Sequence, residues 1–301
     1  MKDYFVFVEP YQKNTLWAGQ NLQNQLKSSQ KIGELWLISA QKHGLSRVSG
    51  QNLDEFFAQN RQFFSFYPHK TYPNLHKIID AGQKLSLQVH PDNKLAKKLN
   101  SFGKDEAWLV LNKGDDPFII GAKSNDFAEK ITEINNENID KHCNFCNLEK
   151  NDFAYISAGL IHSIPQGALV YEIQQNSDLT FRIFDFDRLD TNGQKRELHF
   201  ELAKVAINPK LSPKIIHDNK KSQQSLVKNK FFNLEKVKIN QKFLLFPQND
   251  VFWYEIIIIS GHGKINDAPF KPFDAILISG QIEKPIEFQA ENALILINKI
   301  I

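Results

Sequence analysis

The sequence predicts a mainly β protein with helical insertions, followed by a second, smaller all-β region. Three observations carry the prediction. Short apolar or alternating runs recur through the 301 residues, each cut by Gly, Pro, Asn or Asp, the pattern of many strands joined by turns. Helical periodicity is confined to a few segments. No stretch repeats at a period of roughly 20–50 residues, which sets aside solenoids and propellers.

Taken in order, Leu35-Trp36-Leu37-Ile38, Leu85-Ser86-Leu87-Gln88-Val89, Ala107-Trp108-Leu109-Val110-Leu111, Phe153-Ala154-Tyr155-Ile156 and Ala168-Leu169-Val170-Tyr171-Glu172-Ile173 read as strands. Phe181-Arg182-Ile183-Phe184-Asp185-Phe186 adds another, with polar residues set between apolar ones. Amphipathic helices are expected at 52–64, 92–100, 125–135 and 197–208, the last stopped by Pro209. Residues 210–230 turn polar and are expected to form a linker or long loop. Strands resume at 252–259, 275–278, 286–288 and 293–297. The expected division is a catalytic domain over 1–225 and a small β domain over 226–301.

Composition is that of an ordinary globular protein, with 42% hydrophobic and 24% charged residues. Twenty-four Phe supply bulk for a core. A net charge of +3 without a basic block gives no reason to expect nucleic acid or an anionic membrane as partner. The start, Met1-Lys2-Asp3-Tyr4-Phe5, lacks the basic-then-apolar layout of a secretory signal, and the run at 255–260 is too short to span a bilayer. A cytoplasmic protein is expected. Cys143-Asn144-Phe145-Cys146 has no second such pair to complete a zinc site, so two reduced thiols are expected there.

Three stretches carry chemistry. In Gln88-Val89-His90-Pro91-Asp92, residues two apart on a strand share a face, so Gln88 and His90 can approach one ion. Gly103-Lys104-Asp105-Glu106 places Lys104 and Glu106 on one face at a strand entrance. Ser157-Ala158-Gly159-Leu160-Ile161-His162 is a tight turn that returns a His toward a barrel interior. Gln88, His90, Glu106 and His162 together form a mixed N/O set that suits a divalent first-row metal, zinc included, with a position left open.

The third stretch resembles the Pro-x-Gly-x-x-His turn of the cupin superfamily, with Ser157 in place of Pro. The blocks from Leu85 to Asp92, from Gly103 to Glu106 and Glu172-Ile173-Gln174-Gln175-Asn176-Ser177-Asp178-Leu179-Thr180-Phe181-Arg182 are similar to those of type I mannose-6-phosphate isomerases (phosphomannose isomerases), in their short bacterial form. Leu16-Trp17-Ala18-Gly19, Gly33-Glu34-Leu35-Trp36 and Lys77-Ile78-Ile79-Asp80-Ala81 support it, and the resemblance covers about residues 5 to 207. It implies a cupin (jelly-roll) barrel, with 226–301 as a degenerate cupin-like domain without a metal site, since Gly261-His262-Gly263 offers a His without partners.

The resemblance further implies one Zn2+ held by Gln88, His90, Glu106 and His162, and a sugar phosphate as the small-molecule substrate. The activity implied is the interconversion of mannose 6-phosphate and fructose 6-phosphate in carbohydrate metabolism. Arg182, Asp178 and Lys104 fall on the family's conserved positions. Asp178 paired with Lys104 is the expected proton-transfer arrangement, and Glu172 is the rival base or a support for Lys104. Arg182 is expected in the active site, with Ser86 and Arg188 as candidate phosphate contacts. The alternatives are another cupin sugar-phosphate isomerase or epimerase, for instance on glucose 6-phosphate, and a non-catalytic sugar-binding cupin.

Overall fold

Alternation along the strands decides the architecture of the site-bearing unit. The computed structural model describes residues 4–190 and 192–301. Two compact units are present, one built from Gln12–Leu35 and Leu75–Asp218, the other from the described part of Met1–Tyr11 with Trp36–Asn74 and Asn219–Ile301.

The first unit holds most of a seven-stranded sheet that runs in the order Lys214–Ile216, Phe153–Ile156, Glu106–Lys113, Ala168–Gln175, Asn74–Asp80, Glu34–Ile38 and Tyr11–Lys13. A five-stranded sheet runs Cys143–Cys146, Phe118–Ala122, His162–Ser163, Leu87–Val89, Phe181–Phe184. Both sheets contribute to one apolar cluster, in which Trp108, Val110, Ala154 and Val170 meet Phe118, Ile120 and Leu160. The opposite face of the five-stranded sheet presents Leu87, Val89, Ile119, Phe181 and Ile183 to the helical insertions, where Phe127, Ile131, Ile139 and Ala203 cover it. Successive residues of these strands thus alternate between the helix-covered layer and the inner face.

The helices are shorter than the periodicity predicts. Asn93–Lys98 begins after Asp92, whose carboxylate accepts from the Leu95 N–H at 2.7 Å as a cap. Residues 125–135 form only Phe127–Lys130 and a 3-10 turn, Ile131–Glu133. Phe200–Ala206 starts late because the chain before it runs along the sheet edge, where the His199 N–H donates to the Arg182 carbonyl at 2.8 Å. Within residues 52–64, only Leu53–Gln59 is helical.

The second unit is built on a ten-stranded sheet with a core of aliphatic and aromatic side chains, among them Tyr254, Ile256, Ile258, Ile276, Phe288 and Ile295. The expected contiguous boundary is not how the chain partitions. Phe5–Glu9 pairs antiparallel with Ala275–Ser279, and Phe5 and Phe7 pack on this unit's core. The N-terminal strand supplies a sheet partner that the C-terminal residues lack, a pairing across the whole chain that local sequence cannot reveal. Residues 210–230 are not a linker either. Lys214–Ile216 pairs with Phe153–Ile156, and Gln223–Lys228 pairs with Asn233–Leu245. The strands expected at 286–288 and 293–297 are one, Ile286–Ile300, whose pairing with Asn233–Leu245 shifts register at Ile239/Gln241. No helix among the described residues is long and apolar enough to cross a membrane.

Candidate active site

The inward face of the five-stranded sheet carries a row of three polar residues. His162 and Arg182 are the cross-strand partners of Gln88, one on each side. Phe181 and Ile183, which flank Arg182 in sequence, point to the helices instead, so the guanidinium is the residue turned inward. The seven-stranded sheet contributes a second row. Trp108 lies opposite Glu172 in the ladder and donates its indole N–H to Glu172 Oε2 at 2.8 Å. Lys77 Nζ sits 3.0 Å from Glu172 Oε1 and 3.5 Å from Glu34 Oε2.

Glu106, on the same sheet, meets the first row. Its carboxylate lies 3.1 Å from His90 Nε2 and 3.2 Å from His162 Nε2. The candidate ligand atoms of these three residues all lie within 4.8 Å of one another. Gln88 joins them, its amide nitrogen 3.2 Å from His162 Nε2; rotating the amide by half a turn exchanges nitrogen for the oxygen a metal prefers.

The turns around these residues fix the imidazoles. His90 Nδ1 donates to the Leu179 carbonyl at 2.8 Å and His162 Nδ1 to the Leu160 carbonyl at 2.9 Å. Each Nε2 is therefore left with a lone pair. Gly159 occupies the left-handed region at φ 89°, and its N–H donates to the His90 carbonyl at 2.9 Å. With Ser157 in place of Pro the turn still closes, the Leu160 N–H reaching the Ser157 carbonyl at 3.0 Å. Lys104 is held at its backbone by the Pro91 carbonyl, and its ammonium donates to Glu106 Oε2 at 2.7 Å and to His90 Nε2 at 3.0 Å.

Electrostatics keep this cluster in the form a metal requires. Burial, then the Lys104 charge, lowers His90 to about 3. Burial likewise lowers His162. Burial opposes the charge on Glu106, but its neighbours, the Lys104 ammonium foremost, outweigh it and hold the carboxyl well below the usual range. Glu106 Oε1 is buried without a hydrogen-bond partner among the described residues. Two neutral imidazoles with lone pairs converging on an ionised, under-satisfied carboxylate form a donor set that fits a divalent cation.

A cavity of about 460 Å³ opens beside the cluster, and Gln88 and Lys104 belong to both. Ser86, Glu172, Asp178 and Arg182 also line it. Ser86 donates to Gln88 Oε1 at 3.3 Å. Glu172 is buried and stands 3.8 Å from Lys104 Nζ, whereas Asp178 is exposed. Arg188 does not line the cavity. Phe186 and Asp187 both take left-handed backbone, at φ 55° and 57°, and turn the chain so that Arg188 donates to the Lys84 carbonyl and lies 3.6 Å from Asp185.

Sequence reasoning missed Lys77, Glu34, Arg196 and Thr180 as lining residues. A lysine inside the otherwise apolar Lys77-Ile78-Ile79 run was a usable signal, since burial works against its charge and Glu172, then Glu34 and Asp178, raise its pKa. Arg196 gives no local signal. The CxxC residues are unpaired; Cys143 is buried, which pushes its thiol up to about 12.

The model of the phosphomannose isomerase type I catalytic domain matches residues 13–110. A Bacillus subtilis protein named probable mannose-6-phosphate isomerase GmuF is 33% identical over 276 residues, 86% of this chain and 87% of that protein. The crystal structure of the mannose 6-phosphate isomerase from Bacillus subtilis aligns with a TM-score of 0.89 at 29% identity, over 98% of this chain and 99% of that one. A mannose 6-phosphate isomerase bound with zinc and yttrium shares the fold at a TM-score of 0.74 and 13% identity, over 99% of this chain and 100% of its own.

Proposed function

The chain belongs to the type I mannose-6-phosphate isomerase family, and from that premise we propose how its own residues divide the work of interconverting mannose 6-phosphate and fructose 6-phosphate. The reaction removes a weakly acidic proton beside a carbonyl and delivers it to the neighbouring carbon through an enediol(ate). The chain must hold the open sugar, move that proton, and offset the charge that develops on oxygen.

Gln88, His90, Glu106 and His162 hold zinc. The convergence of both Nε2 lone pairs on Glu106 is the observation that carries this reading. What a divalent ion supplies there is Lewis-acid stabilisation of negative charge and a fixed substrate conformer. Asp178, an exposed carboxylate on the cavity wall, acts as the proton-transferring base. Lys104 donates to substrate oxygen. Glu172 is tied to Trp108 and Lys77 and stands beside Lys104, which favours a positioning role over that of a base. Arg182, next to Gln88 on the inward face, stabilises the enediolate. Ser86, beside the Gln88 amide on the cavity wall, accepts from the amide nitrogen once the amide is turned to present its oxygen. A cytoplasmic setting accords with the two unpaired cysteines.

A coupled assay with mannose 6-phosphate, before and after chelation and with Zn2+ restored, tests this reading. Activity lost with chelator and regained with zinc is expected. Metal-loaded protein inert on mannose 6-phosphate but active on another sugar phosphate would overturn the substrate assignment.

A further inference from the structure

The site leaves one part of the substrate without a partner. A hexose 6-phosphate carries its phosphate at the far end of the carbon chain from the two carbons that react. The row His162–Gln88–Arg182 runs outward from the metal ligands to the sheet edge, because Phe181–Phe184 is the last strand of the five. Beyond that edge lies residues 195–199, fixed by three bonds. The His199 N–H donates to the Arg182 carbonyl at 2.8 Å, His199 Nδ1 accepts from the Arg182 N–H at 3.0 Å, and Arg182 Nη1 donates to the Glu197 carbonyl at 2.6 Å. This run, bonded along the edge strand that carries Arg182, delivers Arg196 to the wall of the same cavity.

From these placements we infer that Arg196 grips the substrate phosphate, with Asp185 as the group that aims it. Asp185 accepts from Arg196 Nε at 2.7 Å and from Nη2, a two-point contact that locks the planar fork and leaves Nη1 for a ligand. The local charge balance calls for an anion. Arg188 and Arg196 both pair with one buried carboxylate, Asp185, and Arg182 feels the charges of all three, while Glu197 is exposed and Asp187 is occupied by Lys195 at 2.8 Å. Arg182 Nε is buried without a partner among the described residues. Arg188 Nη1 is also without one, but Arg188 does not face the cavity. A dianionic phosphate at Arg196 Nη1 would supply the missing negative charge and accept the unused N–H groups there, leaving Arg182 to the reacting end of the substrate.

The inference rests on the isomerase reading, and the test separates the two. Steady-state kinetics on mannose 6-phosphate and competitive inhibition by inorganic phosphate are measured for the wild-type enzyme, Arg196→Gln and Lys195→Gln. KM and the phosphate inhibition constant should both rise roughly 10–100-fold in Arg196→Gln, with kcat changed far less. Lys195→Gln removes a charge from the same exposed segment and should leave both constants unchanged. A folded Arg196→Gln enzyme with wild-type KM and inhibition constant overturns the inference while leaving the isomerase intact. Where that variant does not fold, or the wild type does not turn over mannose 6-phosphate, the native protein decides. Inorganic phosphate should protect Arg196 from phenylglyoxal, as mapped by mass spectrometry; equal modification with and without phosphate overturns the assignment.

Discussion

Each unit of the molecule buries a carboxylate completely, and the two are treated in opposite ways. Glu255, in the unit that includes the C-terminal residues, is 0% exposed and accepts from the Tyr72 hydroxyl at 2.5 Å and the Asn298 amide at 2.7 Å. Trp253 adds its indole N–H, 3.2 Å from the same hydroxyl. The phenol that serves it is forced to stay protonated, because burial and then the Glu255 charge raise Tyr72 well above its ordinary value. Glu106, in the other unit, is equally buried, yet its neighbours are lone pairs and an ammonium, and one of its oxygens has no hydrogen-bond partner among the described residues. Burial alone does not distinguish a structural acid from a working one. The distinction lies in whether the surrounding donors already satisfy it.

Three substitutions break or sharpen that contrast. The largest effect is expected from Glu106→Gln. It should release the metal and lower kcat/KM by at least on the order of 10²–10³, with far-UV circular dichroism unchanged, as seen by metal analysis and the coupled assay. Next is Lys77→Met, which leaves Glu172 without its 3.0 Å partner and so loosens Lys104 at one remove. Metal content should hold while kcat falls roughly 10–100-fold and its pH profile moves, KM changing less. A profile superimposable on the wild type would reduce Lys77 to a packing residue. The smallest effect is expected from Tyr72→Phe. Loss of the donor to Glu255 should cost about 1–3 kcal/mol in denaturant unfolding and leave kcat/KM untouched, since that network faces no substrate.

Much of the His90, Glu106 and His162 cluster, with Gln88 beside it, was readable because its geometry is local. Gln88 and His90 are two residues apart on a strand, and His162 follows a glycine that must take positive φ, so period and turn chemistry suffice. The other cavity-lining residues depend on pairings between distant segments. Lys77 meets Glu172 only because the Asn74–Asp80 and Ala168–Gln175 strands are neighbours. Arg196 reaches the cavity only because 195–199 follows the sheet edge, while Arg188, closer in sequence to the signature run, is turned away by two left-handed residues. The unit boundary was illegible for the same reason: Val6 and Leu277 are partners in one ladder. Helix ends were overextended where tertiary hydrogen bonds, as at His199, claimed residues whose periodicity was helical.

The Phe181–Phe184 strand keeps Arg182 on the cavity wall through the side chains of its other face. Because side chains alternate, a slip of one residue would carry Arg182 into the helix-packed layer and put Phe181 or Ile183 on the cavity wall. What forbids the slip is the greasy side of the strand, matched to Phe127, Ile131 and Ala203. Those silent residues act as the address label for the guanidinium. A polar replacement of Ile183 would misdeliver a charge it never touches.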